Sequence, residues 1–87
     1  MIKRVGRKDF RSNNIWKKEY QVFVEKLKQA RIEAGLTQVD VSKKLKRPQS
    51  YISKCESGER HVDAIELGVF SRLYKKKLEF FVNGYKK

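Results

Sequence analysis

The chain has 87 residues, the length of one small domain. Hydrophobic residues make up 39% of it and charged residues 37%, which predicts a modest core beneath a densely charged surface. A domain of this size buries too little surface to enclose a deep substrate cavity beside its core. The formal net charge of +12, from 22 Lys and Arg against 10 Asp and Glu, favours a polyanionic partner: DNA, RNA or an anionic membrane surface.

Several protein classes are excluded by features that the sequence lacks. No apolar run approaches the roughly 18 residues of a membrane span, and the basic N-terminus lacks the apolar stretch of a signal peptide. We expect no membrane partner, and the single cysteine suits a reducing cytoplasm. Cys55 is the only cysteine and cannot form an internal disulfide, and Cys55 with His61 cannot make a zinc site from protein ligands alone. With no glycine-rich phosphate loop and no paired carboxylates, we expect neither an enzyme nor a bound cofactor or metal.

Residues 1–18 form a segment that is poor in apolar groups and rich in positive charge. Gly6 and the Ser12-Asn13-Asn14 cluster favour coil, so we interpret this segment as a basic flexible arm. Such an arm could follow DNA phosphates or enter a minor groove. The alternative, equally favoured, is that it serves only as a solubilising tail. The folded domain is predicted to span residues 19–83, followed by a basic tail over 84–87. The positive residues of the arm are Lys3, Arg4, Arg7, Lys8, Arg11, Lys17 and Lys18.

The first predicted helix begins at Glu19. At about 100° per residue one stripe of its surface is apolar, and Gly35 provides the C-terminal stop. Arg31 lies in the middle of this stripe, where a charge is costly unless it is paired. The stripe consists of Tyr20, Phe23, Val24, Leu27, Ala30 and Ala34.

Two short helices follow, joined by a tight turn. Thr37-Gln38-Val39-Asp40 has the spacing of a capping box and opens the second helix, which runs to Leu45. Lys46-Arg47 forms the turn, and Pro48, which suits a first helical turn, opens a third helix that ends before Gly58. Two short helices connected in this way match the helix-turn-helix arrangement.

A fourth helix is predicted from Asp63, again with a box-like spacing to Glu66. Its apolar positions cover more than half of the helix surface, so one neighbour could not bury them all. We expect it to pack against the preceding core and against a fifth helix at about 78–82 or a second subunit. Five short helices without a strand pattern predict a compact all-α domain. The apolar positions are Val62, Ile65, Leu67, Val69, Phe70, Leu73 and Tyr74.

The third predicted helix carries an unusual polar face. Ile52 and Cys55 point inward, while amide, hydroxyl and lysine side chains occupy the opposite side. Amides and hydroxyls both donate and accept hydrogen bonds, which suits the mixed pattern of base edges in a DNA major groove. The alternative is an ordinary solvated helix face. The candidate base-contacting residues are Gln49, Ser50, Ser53 and Lys54.

The spacing of these residues resembles that of the XRE family, the phage repressor and Cro-type (lambda-repressor-like) helix-turn-helix regulators. The resemblance covers roughly residues 23–82, and the run Pro-Gln-Ser-Tyr-Ile-Ser-Lys-Cys-Glu-Ser-Gly-Glu-Arg at 48–60 is especially similar to small bacterial regulators. It implies a five-helix fold with the helix-turn-helix as helices 2 and 3. It also implies a homodimeric transcriptional regulator, expected to be a repressor, that binds specific double-stranded DNA in the nucleoid. The matching residues are Leu36-Thr37-Gln38, Val41, Leu45, Gln49-Ser50, Ile52-Ser53, Glu56, Gly58 and Arg60.

The resemblance also implies roles for individual residues. Gln38 matches a position that contacts a DNA phosphate and braces the glutamine at the next helix start, here Gln49. Arg31 and Glu56 match a pair that bridges the first and third helices, which would answer the problem of a charge on an apolar stripe. Residues at positions near the phosphate backbone are Gln38, Lys46, Arg47 and Ser57.

This sequence departs from the family pattern around the turn. Lys46 stands where glycine is usual, so a non-glycine residue is expected to adopt a left-handed conformation. Arg47 replaces an apolar residue and Ser42 replaces an alanine. Val39 replaces a common acid, which leaves an apolar group near solvent.

Two other functions fit part of the sequence. A protein-interaction module, such as an antitoxin or an adaptor, could keep this fold; exposed Val39 and the apolar stripe of Leu67, Phe70 and Tyr74 motivate it. RNA binding also fits the charge. It is less favoured because readers of single-stranded RNA display aromatic stacking platforms, whereas the aromatic residues here lie on predicted packing faces.

Overall fold

The computed structural model describes residues 14–82 of the chain. Within that range the structure contains five helices and no strand, which confirms the predicted all-α class with the helix-turn-helix as helices 2 and 3. The predicted tail (84–87) and the first 13 residues of the predicted arm lie outside the described residues. The helices are α1 (Asn14–Glu33), α2 (Gln38–Leu45), α3 (Gln49–Ser57), α4 (Ala64–Tyr74) and α5 (Leu78–Val82).

Helix α1 differs from its prediction at both ends. It begins at Asn14, five residues before Glu19, because exposed lysines such as Lys17 and Lys18 are good helix formers even where no apolar stripe marks them. It ends at Glu33, so Ala34 lies in an exposed turn and the prediction that it belongs to the apolar stripe was wrong. Gly35 takes the left-handed conformation (φ 76°) expected of a C-terminal stop.

One continuous core joins all five helices. Helix α1 contributes Phe23, Leu27 and Ala30, which pack against buried residues of the other four helices. Cys55 is fully buried, and burial raises the pKa of its thiol, so it is an inward-facing core residue as predicted. The buried residues contributed by α2–α5 are Val41, Ile52, Cys55, Phe70, Tyr74 and Phe81.

The structure corrects the predicted placement of two residues, Ile65 and Pro48. Ile65, assigned to the apolar stripe of the fourth helix, is 78% exposed because it lies in the first turn of α4, on the side away from the core. Pro48 is the residue before the first turn of α3 and not its first helical residue, with an extended backbone conformation (φ −62°, ψ 151°). Proline fixes only φ, and this φ suits both positions.

Helices α2 and α4 begin in the same way. In each, the side chain of the residue before the helix accepts a hydrogen bond from the backbone N–H of an acidic residue three positions later. The carboxylate of that acidic residue in turn accepts a hydrogen bond from the backbone N–H of the residue before the helix. For α2, Thr37 Oγ1 accepts from the Asp40 N–H at 3.0 Å, and Asp40 Oδ2 accepts from the Thr37 N–H at 2.9 Å. Asp63 and Glu66 form the equivalent pair on α4 at 2.8 and 2.9 Å. Both predicted capping boxes are therefore present.

The two helices also end in the same way. Lys46 after α2 and Lys75 after α4 are both left-handed (φ 57°), a conformation that costs a non-glycine residue about 1–2 kcal/mol. In each case the serine three residues before the helix end donates its hydroxyl to the carbonyl beyond the lysine: Ser42 to Arg47 (2.6 Å), and Ser71 to Lys76. Ser42, a departure from the family alanine, thus stabilises the strained turn that leads into α3.

The strain at Lys46 predicts the effect of a substitution. Lys46→Gly relieves the left-handed conformation and is expected to raise the free energy of unfolding by about 1 kcal/mol in urea titrations. Lys44→Gly is the matched control because it removes the same charge from a helical position, where glycine destabilises by about 0.5–1 kcal/mol. Equal destabilisation by both variants would contradict this account of the turn.

Candidate nucleic-acid interface

Helix α3 is oriented by its buried side. Ile52 and Cys55 are completely buried in the core, which turns the opposite side of the helix to solvent. That exposed side carries all four candidate base-contacting residues, so the structure brings them together on one face. They are Gln49, Ser50, Ser53 and Lys54.

The inner end of α3 is fixed by an ion pair with α1. Arg31 and Glu56 bond in a bidentate manner, with Nε to Oε2 at 2.8 Å and Nη2 to Oε1 at 3.2 Å. Their side chains are only 11% and 4% exposed. Arg31 also donates from Nη1 to the carbonyl of Leu36 at 2.9 Å, which holds the α1–α2 connection. The charge on the apolar stripe of α1 is therefore paired and hydrogen-bonded.

A chain of hydrogen bonds extends from this ion pair to the surface. Glu56 Oε1 accepts a bond from Gln38 Nε2 at 3.1 Å. Gln38 Oε1 in turn accepts a bond from Gln49 Nε2 at 3.3 Å. Since Gln38 is the first residue of α2 and Gln49 the first residue of α3, the chain joins both helices of the helix-turn-helix to the buried pair. The bracing of Gln49 by Gln38 is present in the structure.

The end of α3 has a local hydrogen-bond arrangement of its own. The Ser57 hydroxyl donates to the Lys54 carbonyl at 3.2 Å and accepts from the Glu59 N–H at 3.3 Å. A phosphate oxygen can only accept a hydrogen bond, so Ser57 would have to give up its bond to Lys54 before donating to DNA. The Ser57 hydroxyl is thus already engaged within α3, whereas the side chains of Lys46 and Arg47 are exposed.

Four residues at α3 form a cluster, here called the Tyr51 cluster: Arg47, Tyr51, Arg60 and Glu66. The sequence predicts a site position, near the phosphate backbone, for Arg47 alone; it assigns none to the other three. The guanidinium carbons of Arg47 and Arg60 lie over the Tyr51 ring, 5.1 and 4.8 Å from its centre. Arg60 also pairs with Glu66 at 2.9 Å. Burial and the nearby Glu66 carboxylate raise the pKa of Tyr51, so it stays neutral. Arg60 belonged to the motif that carried the family resemblance, but its partners depend on the tertiary fold.

A separate apolar groove lies between α1, α4 and α5. It has a volume of about 260 Å³ and is lined mainly by Tyr20, Phe23, Val62, Leu67, Phe81 and Val82. Of the apolar stripe considered for a protein partner, Leu67 lines this groove, but Phe70 and Tyr74 are buried in the core of the chain itself. The interpretation of those two residues as a surface for a partner was therefore wrong.

The structure and the comparisons define the class of protein together. Two short helices, joined by a tight turn and anchored to a buried ion pair, expose one polar helix face: this is a helix-turn-helix domain. The family model "Helix-turn-helix" matches residues 27–81, from the middle of α1 into α5, and the chain belongs to this family of Cro/C1-type (XRE) DNA-binding regulators. No curated protein and no solved structure matches the chain.

Two classes of feature are absent from residues 14–82. No helix there is long and apolar enough to cross a membrane. The same stretch holds no group of three or more His, Cys, Asp or Glu side chains arranged to bind a metal ion.

The buried ion pair predicts a large loss of stability on substitution. Glu56→Ala leaves the Arg31 charge buried without a partner and is expected to lower the free energy of unfolding by about 3–5 kcal/mol in urea titrations. Glu33→Ala is the control, because it breaks the ion pair between Glu33 and Lys76. That pair is more exposed than the pair of Arg31 and Glu56, so it should contribute far less to the free energy of unfolding. A similar small loss for both variants would show that the buried pair does not anchor α3.

Stability is also expected to depend on the protonation of Glu66. Hydrogen bonding by Arg60 holds the pKa of Glu66 below its ordinary value near 4.5, so the carboxylate stabilises the fold above that pH. This contribution is lost as the pH falls through the lowered folded pKa. Glu66→Gln should therefore reduce stability at pH 7 and make its decline below about pH 4.5 shallower. Urea titrations between pH 3 and 7 check this, and parallel curves for the two proteins would contradict it.

Proposed function

We propose that this chain is a sequence-specific transcriptional regulator that reads the major groove of double-stranded DNA with the exposed face of α3. The observation that carries the proposal is the hydrogen-bond chain from Glu56 through Gln38 to Gln49, together with the exposure of the polar face that begins at Gln49. A buried anchor that fixes the amide of a surface glutamine preorganises that amide for recognition.

The amide of Gln49 retains the groups that adenine requires. One of its N–H groups is bonded to Gln38. The second N–H and the amide oxygen have no hydrogen-bond partner among the described residues, and they match the N7 acceptor and the N6 donor of adenine. Lys54 can donate to guanine O6 or N7 farther along the helix. Ser50 and Ser53 are short, so the helix backbone can approach the bases closely.

Contacts with phosphates would supply the affinity that does not depend on sequence. Lys46 and Arg47 lie exposed in the turn that precedes α3, and Gln38 lies at the start of α2 beside them. Pro48 provides no side-chain cap for α3, so the first N–H groups of this helix are available to a phosphate oxygen. Binding through these groups releases counterions and should weaken as salt rises.

We also propose that the regulator acts as a homodimer, and as a repressor, on chromosomal DNA in the cytoplasm. Two copies related by a two-fold axis would present their α3 helices to successive major-groove faces about 34 Å apart on a pseudo-palindromic site. This part of the proposal is supported by the family resemblance.

A protein-interaction module, such as an antitoxin or an adaptor, is the second candidate function. It is supported by the groove between α1, α4 and α5 and by Val39, which is 44% exposed. Co-purification of a stoichiometric partner, with no retention of DNA at moderate salt, would favour this function over DNA reading.

The proposed reading of adenine predicts a specific defect. On the preferred site, selected from random duplex DNA, Gln49→Ala should cost about 1–3 kcal/mol in binding free energy and should flatten discrimination at one base pair. The measurement is a fluorescence-anisotropy titration of the selected duplex and of its single-base variants.

The matched control is Gln29→Ala, another glutamine-to-alanine change on an exposed helix surface. The Gln29 amide is bonded to Glu33 of α1 at 2.8 Å and takes no part in the chain that leads to α3. This variant should bind as the unaltered protein does. If Gln49→Ala left the base preference unchanged across a randomised library, Gln49 would not read DNA.

A further inference from the structure

We propose that Tyr51 is a positioning residue that holds Arg47 in place for a DNA phosphate at the start of α3. This inference rests on the DNA-binding function proposed above. It adds a role for an aromatic side chain that itself need not touch DNA.

The Tyr51 ring is a fixed platform. It is half-buried and stacks on Phe70, with ring centres 6.4 Å apart and ring planes 13° apart, and Phe70 is 1% exposed. Arg60 packs against the same ring at 4.8 Å. The Arg60 guanidinium is held in turn by Glu66 at 2.9 Å and by the His61 carbonyl at 3.2 Å. The ring is thus connected to the core and to the N-terminal cap of α4.

Arg47 uses this platform differently from Arg60. Its guanidinium lies 5.1 Å from the ring centre, but among residues 17–82 it forms no ion pair. A cation–π contact does not use up the N–H donors of a guanidinium, and these donors can form a bidentate contact with a phosphate. Because the ring already restricts the side chain, less conformational entropy is lost when DNA binds.

The charge of the Tyr51 cluster also favours an anionic partner. Two positive guanidinium groups lie on one ring, and the single carboxylate of the cluster, Glu66, is bonded to Arg60. The positive charge of Arg47 is therefore left for an external anion to neutralise. Arg47 immediately precedes Pro48 and α3, which is where the backbone of a duplex in contact with α3 would pass.

The first measurement uses the protein without DNA. Side-chain protons of Arg47 should show upfield NMR shifts from the Tyr51 ring current. Tyr51→Phe should retain these shifts because it keeps the ring, and Tyr51→Leu should abolish them. Arg47 shifts at random-coil values in the unaltered protein would overturn the inference.

The second measurement is a double-mutant cycle on the selected duplex. Tyr51→Leu should weaken DNA binding about two- to five-fold, which is the effect expected from the loss of a cation–π contact at an exposed site. Arg47→Ala should cost less in the Tyr51→Leu background than alone, while Tyr51→Phe should leave the cost of Arg47→Ala unchanged. Lys46→Ala is the control, and its cost should be the same in either background. Additive effects of Tyr51→Leu and Arg47→Ala would overturn the inference.

Arg47→Lys keeps the test valid if Tyr51→Leu fails to fold. This change preserves the charge and the Tyr51 ring but removes the planar guanidinium that lies over it. It should weaken DNA binding about two- to five-fold, and binding equal to that of the unaltered protein would overturn the inference. Failure of the unaltered protein to bind any duplex would instead refute the proposed function, so the two failures are distinguishable.

Discussion

The ion pair between Arg31 and Glu56 is the interaction on which the arrangement of the domain depends. It connects α1 to α3 in the core, and through Gln38 it also determines where the first side chain of α3 lies at the surface. Burying two charges is costly, and a well-packed apolar pair could be equally stable. Unlike an apolar contact, the ion pair takes part in directional hydrogen bonds, and these connect it through Gln38 to Gln49. We therefore interpret it as an orienting device first and a source of stability second.

Aromatic rings provide a second means of organising charge in this strongly basic chain. Tyr51 lies beneath Arg47 and Arg60, and Phe80 lies beneath Lys26 and Lys76, whose amino groups are 4.8 and 4.7 Å from its ring centre. In each case one of the two cations also pairs with a carboxylate. Cations can thus be held against the apolar body of the protein even though acids are few.

Much of the fold follows from local signals in the sequence. The capping boxes at Thr37 and Asp63 depend only on spacing, so the starts of α2 and α4 were predictable. The left-handed turn at Lys46 was expected, but its stabilisation by Ser42 was not, because that bond needs the turn to be formed first. Helix α1 begins before its apolar stripe does, so hydrophobic periodicity does not reveal its first residues.

The candidate site was predictable to a smaller degree. The polar face of α3 could be derived from helical periodicity because Ile52 and Cys55 define the opposite side. The Tyr51 cluster could not, since it joins residues from a turn, a helix, a loop and the next helix, and only the packed structure brings them together. The same holds for the aromatic residues of α4: periodicity predicts that Phe70 and Tyr74 are apolar positions but not that the core of the chain itself covers them.

An NMR titration of the protein with its selected duplex tests the central claim most directly, since it locates the DNA without relying on any substitution. The account predicts that the largest shift changes fall on the side-chain amides of Gln38 and Gln49 and on the backbone of residues 46–54, and that the core signals of α5 stay in place. Changes confined to the groove between α1, α4 and α5, with the amide of Gln49 unaffected, would contradict it.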